Sequence, residues 1–136
     1  MPKAKPTAAA ATTHAEPAYA GETGTDGKGI AIATHLLGML TIFLGPLVLY
    51  FVFRKNASPW LREHLDEAVN YWILVTFAFV ALIVLTLLLG TSGAAIFVFL
   101  LAFLVVLVAY AFGVISIVKA AMGRPSHYPL NIRLIK

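Results

Sequence analysis

Residues 69–118 read VNYWILVTFAFVALIVLTLLL, then Gly90-Thr91-Ser92-Gly93, then AAIFVFLLAFLVVLVAYAFGVISIV. The two apolar runs, Val69–Leu89 and Ala94–Val118, contain no lysine, arginine, aspartate or glutamate. A helix of about 20 apolar residues crosses the roughly 30 Å hydrocarbon core of a bilayer. Each run therefore predicts a membrane-spanning helix, and the short uncharged loop predicts that the two helices form an antiparallel hairpin.

A third apolar run, Ile30–Phe53, precedes them and contains Gly45-Pro46. Proline inside a helix removes one hydrogen bond and kinks the axis. A re-entrant hairpin that turns at Gly45-Pro46 is the alternative, but its second arm, Leu47–Phe53, would be short. We therefore predict an all-α integral membrane protein with three transmembrane helices at about residues 30–53, 69–89 and 94–118, the first kinked at Gly45-Pro46.

The composition of the chain supports a lipid environment. Of its 136 residues, 60% are hydrophobic and 12% are charged, whereas soluble domains carry about 25% charged residues. The net charge is +4, but the basic residues flank the predicted spans, which is typical of membrane topology signals and argues against nucleic-acid binding. The chain has no cysteine, which excludes disulfides, thiolate metal sites and cysteine nucleophiles.

A polar segment leads into the second span. Ser58 followed by Pro59 predicts a helix start, with serine as N-cap and proline at the first helical position. The segment then shows an amphipathic pattern at helical spacing. Its apolar face comprises Leu61, His64, Leu65, Ala68 and Trp72, and its polar face comprises Glu63, Asp66, Glu67 and Asn70. We expect one continuous helix over residues 59–89, with an amphipathic extension before the second span.

The two ends of the chain differ from this membrane domain. Residues 1–28 have no apolar period and predict a disordered tail, so the membrane domain covers residues 29–136. The third span is predicted to end near Gly123, and the remaining C-terminal residues predict a short interfacial tail. We also predict that Arg133 and Lys136 fold this tail back onto the acidic face of the second helix; the equal alternative is a free tail whose charges only set topology.

Basic residues predict the orientation of the chain. Lys28 is close to a span on the N-terminal side, and seven basic residues lie on the other side: Arg54, Lys55, Arg62, Lys119, Arg124, Arg133 and Lys136. We therefore predict a multi-pass protein of the bacterial inner membrane with its N-terminus outside and its C-terminus in the cytoplasm.

Few residues suggest chemistry. Glu63, His64, Asp66 and Glu67 could bind a divalent metal, but a di-iron bundle needs two Glu-x-x-His pairs and this chain has one His-x-x-Glu. Glu63 with Glu67 could act as acid and base. A solvated polar face is the simpler interpretation. His35 is the one ionisable residue inside the predicted spans, and we expect it to extend to the nearby interface. We predict no catalytic residue, no metal and no cofactor.

Several motifs together resemble a known family: His35-Leu36-Leu37-Gly38, Gly45-Pro46, Ser58-Pro59-Trp60, Glu63-His64, Glu67-Ala68, Asn70-Tyr71 and Tyr128-Pro129-Leu130 with Ile132-Arg133. In this order they are similar to a bacterial membrane family of unknown function related to the twenty-kilodalton subunit of the translocon at the inner chloroplast envelope, the Tic translocon-like family. Trp72 and Asn131 depart from that pattern, where glutamine and threonine are common.

The resemblance implies a membrane location and, through the plastid relative, a link to protein translocation. From the residues themselves we predict a non-enzymatic scaffold or accessory subunit. The resemblance implies an oligomeric channel or protein-translocation component as the alternative, and an intramembrane enzyme is a third. The partners would be lipid and either other proteins or further copies of the chain. The candidate interaction or structural residues are His35, Pro46, Glu63, His64, Glu67, Asn70, Tyr128, Pro129 and Arg133.

Overall fold

The computed structural model describes residues 25–128, and these residues form four α-helices. The helices are α1 (Thr25–Thr41), α2 (Leu44–Phe53), α3 (Pro59–Leu89) and α4 (Gly93–Ala121). A single 3-10 turn at residues 54–56 connects α2 to the segment before α3. The predicted all-α fold is confirmed over this range. The interfacial tail beyond Tyr128 and most of the predicted disordered tail lie outside the described residues, and α1 begins five residues before the predicted start of the first span.

Helix α3 begins and ends as the sequence predicts. The Ser58 hydroxyl accepts a hydrogen bond from the Leu61 N–H at 3.2 Å, and Pro59 occupies the first turn, where its missing N–H costs nothing. The helix continues without a break for 31 residues, about 46 Å at 1.5 Å per residue. That length exceeds the roughly 30 Å hydrocarbon core, so the amphipathic first turns extend beyond the apolar layer.

Helices α3 and α4 form the predicted hairpin and carry the membrane-spanning residues. Gly90 adopts a φ of 60°, which a glycine tolerates without strain, and this turns the chain between the two helices. In the most apolar 18-residue windows of α3 and α4, only 6% and 17% of the residues are buried. A core helix of a soluble protein would be mostly buried. These two helices therefore present their apolar side chains to lipid.

The run 30–53 is two helices and not one kinked span. The break lies at Ile42 and Phe43 rather than at Gly45-Pro46, and Ile42 has a φ of 59°, a left-handed conformation that a β-branched residue rarely adopts. The Gly45 N–H donates to Thr41 Oγ1 at 2.8 Å across the turn. Pro46 lies in the first turn of α2, where a helix needs no N–H. Proline thus begins a helix here and does not bend one.

Helices α1 and α2 fold back on each other as a short antiparallel hairpin. His35, just past the middle of α1, lies 3.0 Å from His64 in the second turn of α3, and a Cβ added at Gly27 in the first turn of α1 would lie 3.9 Å from Trp60 Cζ3. Arg54, at the end of α2, pairs with Asp66 in the same part of α3. The beginning of α1 and the end of α2 are therefore at the same end of the bundle. Two helices in the described range are long enough to span a membrane, and three spans are not confirmed.

The end of α4 also reaches this end of the bundle. The Arg124 carbonyl, just after α4, lies 3.1 Å from His64 Nε2, and Ala120 packs in the same apolar cluster as Ala31 and Trp60. The segment after α4 thus lies against the first half of α3, next to α1. The predicted placement of the N-terminus and C-terminus on opposite sides of the membrane assumed three crossings, which are not confirmed in the described range.

Small residues allow α1 to pack closely between α3 and α4. A Cβ added at Gly38 would overlap the indole of Trp72, and one added at Gly113 would lie 3.0 Å from Met39 Cγ. Tyr110 donates from its hydroxyl to the Met39 carbonyl at 2.6 Å. The buried residues of α4 are small and recur along one stripe: Ala95, Ala102, Ala109, Gly113, Ser116 and Ala120. Small side chains are typical of helix contacts in membranes.

Candidate functional site

Four polar side chains meet at the end of the bundle where the described chain begins and ends, and we call them the polar joint: His35, His64, Glu67 and Tyr128. The Tyr128 hydroxyl lies 2.8 Å from His35 Nδ1, and His35 Nε2 lies 3.0 Å from His64 Nδ1. His35, His64 and Tyr128 are buried, the two histidines completely. The joint links α1, α3 and the segment after α4 through side chains that are 29 and 93 residues apart in sequence.

The direction of these hydrogen bonds follows from their last acceptor. A backbone carbonyl only accepts, so His64 Nε2 must donate its proton to the Arg124 carbonyl. A neutral His64 then accepts at Nδ1 from His35 Nε2, and His35 accepts at Nδ1 from the Tyr128 hydroxyl. Complete burial disfavours the charged imidazolium, and with both rings neutral this pattern makes each an Nε2–H tautomer with protein partners at all four ring nitrogens.

Tyr128 is held by two further contacts. Its ring stacks on Tyr71 with a centroid distance of 3.8 Å and an interplanar angle of 9°. Its backbone N–H donates to Glu67 Oε2 at 3.4 Å. Burial raises the pKa of the Tyr128 phenol well above its usual value. The hydroxyl therefore stays protonated and remains a donor to His35.

The acidic residues of α3 contact protein groups instead of forming an open polar face. Glu63 Oε1 lies 3.3 Å from His127 Nε2, and Asp66 Oδ1 lies 3.2 Å from Arg54 Nε. The predicted apolar face is confirmed as buried. The predicted solvated face is only partly correct, because Glu67 and Asn70 are buried. The helix reaches beyond the lipid but is covered there by α1, α2 and the segment after α4.

Some contributors to this region gave no signal in the sequence. Ser126 Oγ donates to Ser116 Oγ at 2.8 Å and fixes the segment after α4 against that helix. Trp60 packs against His64 with a ring-centroid distance of 4.4 Å, and its indole N–H is buried without a hydrogen-bond partner. Apolar spacing marked Leu61 and Leu65 as buried, but no sequence pattern pairs two serines ten residues apart.

The other candidate residues do not all lie where the sequence predicted. His35 does not extend to the interface, because it is buried against His64 and Tyr128. Pro46 is buried in α2 and acts at the helix start described above. His127 and Tyr128 reach the acidic residues of α3, whereas the predicted fold-back through Arg133 and Lys136 stays a prediction. Pro129, Arg133 and Lys136 lie outside the described residues.

The polar joint acts chemically as a structural link. Each imidazole nitrogen already has a hydrogen-bond partner, so neither ring presents a free lone pair to a ligand in this arrangement. Within residues 25–128, no group of three or more histidine, aspartate or glutamate side chains is placed to hold a metal ion. The joint fixes the segment after α4 to α1 and α3.

The sequence matches one protein family. The model of the magnetosome magnetite crystal formation protein family (MamF/MmsF) matches residues 26–135. No curated protein and no solved structure matches the chain. The match covers all four helices and the segment that carries Tyr128.

This match corrects the family assignment made from motifs. The resemblance to the Tic translocon-like family is wrong, because the matching family model is the magnetosome one. Within residues 25–128, those motifs contain the residues of the polar joint and the starts of α2 and α3, so these parts of the pattern describe local structure and do not identify that family. The translocation role that the resemblance implied has no remaining basis.

Proposed function

This chain belongs to the magnetosome magnetite crystal formation protein family, and we propose that it is a non-enzymatic scaffold or accessory subunit for magnetite crystal formation in the magnetosome membrane. The magnetosome membrane derives from the bacterial inner membrane, and the bacterial inner membrane is the location that we predict from the sequence. Partners of the scaffold would bind its membrane-embedded or exposed surfaces.

One observation carries the proposal: the polar joint directs its hydrogen-bonding groups inward. A catalytic or metal-binding histidine needs one nitrogen directed toward a substrate or ion, whereas His35 and His64 use both nitrogens to connect elements of the fold. Such a satisfied network makes a unique and rigid arrangement. A rigid frame with an apolar outer surface is suited to organising other membrane components.

We further propose how the scaffold lies in the membrane. Helices α3 and α4 cross it, and the α1–α2 hairpin enters from one side and returns to the same side. All lysines and arginines precede Val69 or follow Val118, so the α3–α4 loop at the far end carries no positive charge. The positive-inside rule then places the end with the polar joint in the cytoplasm.

Topology can be tested with single cysteines in this cysteine-free chain. The three variants are Lys28→Cys, Arg124→Cys and Thr91→Cys, and each is treated with a membrane-impermeant maleimide from either side of the membrane. We expect positions 28 and 124 to react from the cytoplasmic side and position 91 from the opposite side. Labelling of positions 28 and 124 from opposite sides would restore three crossings and refute the re-entrant hairpin.

The scaffold role can be separated from enzyme activity by complementation. In a magnetite-forming cell that lacks this gene, the wild-type chain should restore crystal size, measured by electron microscopy. His64→Gln and Tyr128→Phe should reduce crystal size only as far as they reduce the amount of folded protein in the membrane. Ser58→Ala serves as a matched control that lowers stability at a distance from the joint.

Two outcomes of this experiment would contradict the proposal. If His64→Gln accumulates at wild-type levels, unfolds at the wild-type detergent concentration and still fails to restore crystals, the histidine has a chemical role. The proposal of a non-enzymatic scaffold would then be wrong. Crystals of normal size in the cell that lacks the gene would refute a role in crystal formation altogether.

A further inference from the structure

A pocket with three basic side chains lies where α2 and α3 come together at the end of the bundle that holds the polar joint. It has a volume of about 290 Å³ and is lined by Tyr50, Phe51, Arg54, Lys55 and Arg62. Lys55 and Arg62 are exposed. Arg54 lies over the Tyr50 ring at 5.0 Å and pairs with Asp66. Three positive charges and this one negative charge leave a local net charge of +2.

An apolar groove follows the same two helices further along. It has a volume of about 380 Å³ and is lined by Phe43, Leu47, Ile73, Thr76, Phe77 and Val80. No charged side chain lines it. Phe77 is 70% exposed at its edge. The groove is therefore open to the surrounding lipid.

The basic pocket and the apolar groove follow one another along the same faces of α2 and α3. Along α2, the lining residues Phe43, Leu47, Tyr50 and Arg54 are spaced three or four apart and share one helix face. On α3, the distance from Arg62 to Thr76 is about 21 Å at 1.5 Å per residue. Half of a bilayer with its headgroups is about 20–22 Å thick. The two features thus have the spacing of a phosphate and an acyl chain in one leaflet.

We propose that this pocket and groove together bind one anionic phospholipid, its phosphate on Lys55 and Arg62 and one acyl chain along Leu47 and Ile73. Basic pockets between membrane helices on the cytoplasmic side bind anionic headgroups. Arg54 adds positive charge while it stays oriented by Asp66. The site depends on the placement of the helices in the membrane and not on a role in crystal formation.

Native mass spectrometry of the full-length chain in neutral detergent tests the charge requirement. Titration with phosphatidylglycerol should retain one lipid per chain, and phosphatidylcholine should bind far more weakly. Replacing Lys55→Gln and Arg62→Gln together should weaken phosphatidylglycerol binding by about thirtyfold. The control, Lys119→Gln with Arg124→Gln, removes the same charge elsewhere at this end and should change binding less than threefold. Equal losses in both variants would show attraction by net charge alone and overturn the site.

The groove is tested separately in the wild-type charge background. Glycerol phosphate, which has the headgroup chemistry without acyl chains, should fail to displace the lipid at equal concentration; equal competition would exclude the acyl groove. A photo-crosslinking benzophenone residue in place of Phe77 should add the mass of one phospholipid in membranes that contain phosphatidylglycerol. A product of twice the protein mass would show that a second copy of the chain occupies the groove, and the lipid assignment would be wrong.

Discussion

Gly38→Ala is predicted to destabilise the fold because the added methyl group has no space. A Cβ at Gly38 would lie less than 3.0 Å from three atoms of the Trp72 indole. That ring is buried, and it makes edge contacts with Tyr71 and Tyr110 at centroid distances of 5.5 and 6.1 Å. The indole therefore cannot move without disturbing its neighbours on α3 and α4.

The expected loss in the free energy of unfolding is the difference between two effects. Overpacking a filled core costs about 1–3 kcal/mol, and three overlapping ring atoms place Gly38→Ala near the upper limit. Alanine in a helix interior regains up to about 1 kcal/mol relative to glycine. The net loss should be about 2 kcal/mol. Gly29→Ala in the same helix is the matched control, because nothing lies within 4 Å of its added Cβ, and it should be neutral or stabilising by up to about 1 kcal/mol.

Unfolding by sodium dodecyl sulfate in mixed micelles, followed by tryptophan fluorescence, measures both variants. In a Trp72→Ala background the obstructing ring is gone, and Gly38→Ala should then cost nothing; Trp60 remains as the fluorophore. The coupling between the two positions should be about 2–3 kcal/mol. If Gly38→Ala and Gly29→Ala change the free energy of unfolding equally, or if the Trp72→Ala background makes no difference, the close packing of α1 on α3 is wrong.

Three further outcomes are expected in the same unfolding assay. Tyr128→Phe should cost about 1–3 kcal/mol because it leaves the buried His35 acceptor without a donor; wild-type stability would contradict the hydrogen-bond chain. Because the phenol pKa of Tyr128 is raised in the fold from about 10 in the unfolded chain, the unfolded state loses its proton first. Stability should therefore be independent of this group below about pH 10 and fall above it, and Tyr128→Phe should remove that part of the slope. His127→Ala removes an ion pair with Glu63 in which the histidine side chain is 59% exposed, so it should cost less than about 1 kcal/mol. Ser58→Ala should cost about 1 kcal/mol because it removes the N-cap of α3. A larger loss for His127→Ala than for Ser58→Ala would contradict this ranking of the two contacts.

The sequence predicted the second half of the fold well because local signals there agree. Ser58-Pro59 begins α3, an uninterrupted apolar run continues it, and the loop at Gly90 ends it. Each signal has one interpretation in an apolar solvent, since backbone groups in lipid must form helical hydrogen bonds. The boundaries of α3 and α4 accordingly fall close to the predicted ones.

The first half was not predictable in the same way, because proline has two meanings. Pro46 is compatible with a kink inside a helix and with the first turn of a new one. The deciding residue, Ile42, has a left-handed backbone that costs about 1–3 kcal/mol and persists only when the surrounding packing imposes it. No local pattern marks an isoleucine for that conformation.

The sequence did not predict the polar joint, because it did not predict the turn at Ile42. A straight first span would place His35 and His64 toward opposite sides of the membrane, so their contact could not be foreseen. The sequence identified both histidines, Glu67 and Tyr128 individually as candidates. It did not show that they touch, because this contact forms only when the α1–α2 hairpin places α1 beside the beginning of α3.

The α1–α2 hairpin gives the molecule different widths at its two ends. Of the helices in residues 25–128, all four share the end that contains the polar joint, while α3 and α4 alone reach the end at Gly90. With helices about 10 Å across, the wider end takes up roughly twice the cross-sectional area. A body of this shape displaces more lipid from one leaflet than from the other, and the bilayer relieves that imbalance by bending toward the narrow end. Packing many such wedges side by side would favour a small closed vesicle over a flat sheet, with the wide ends on its outer surface.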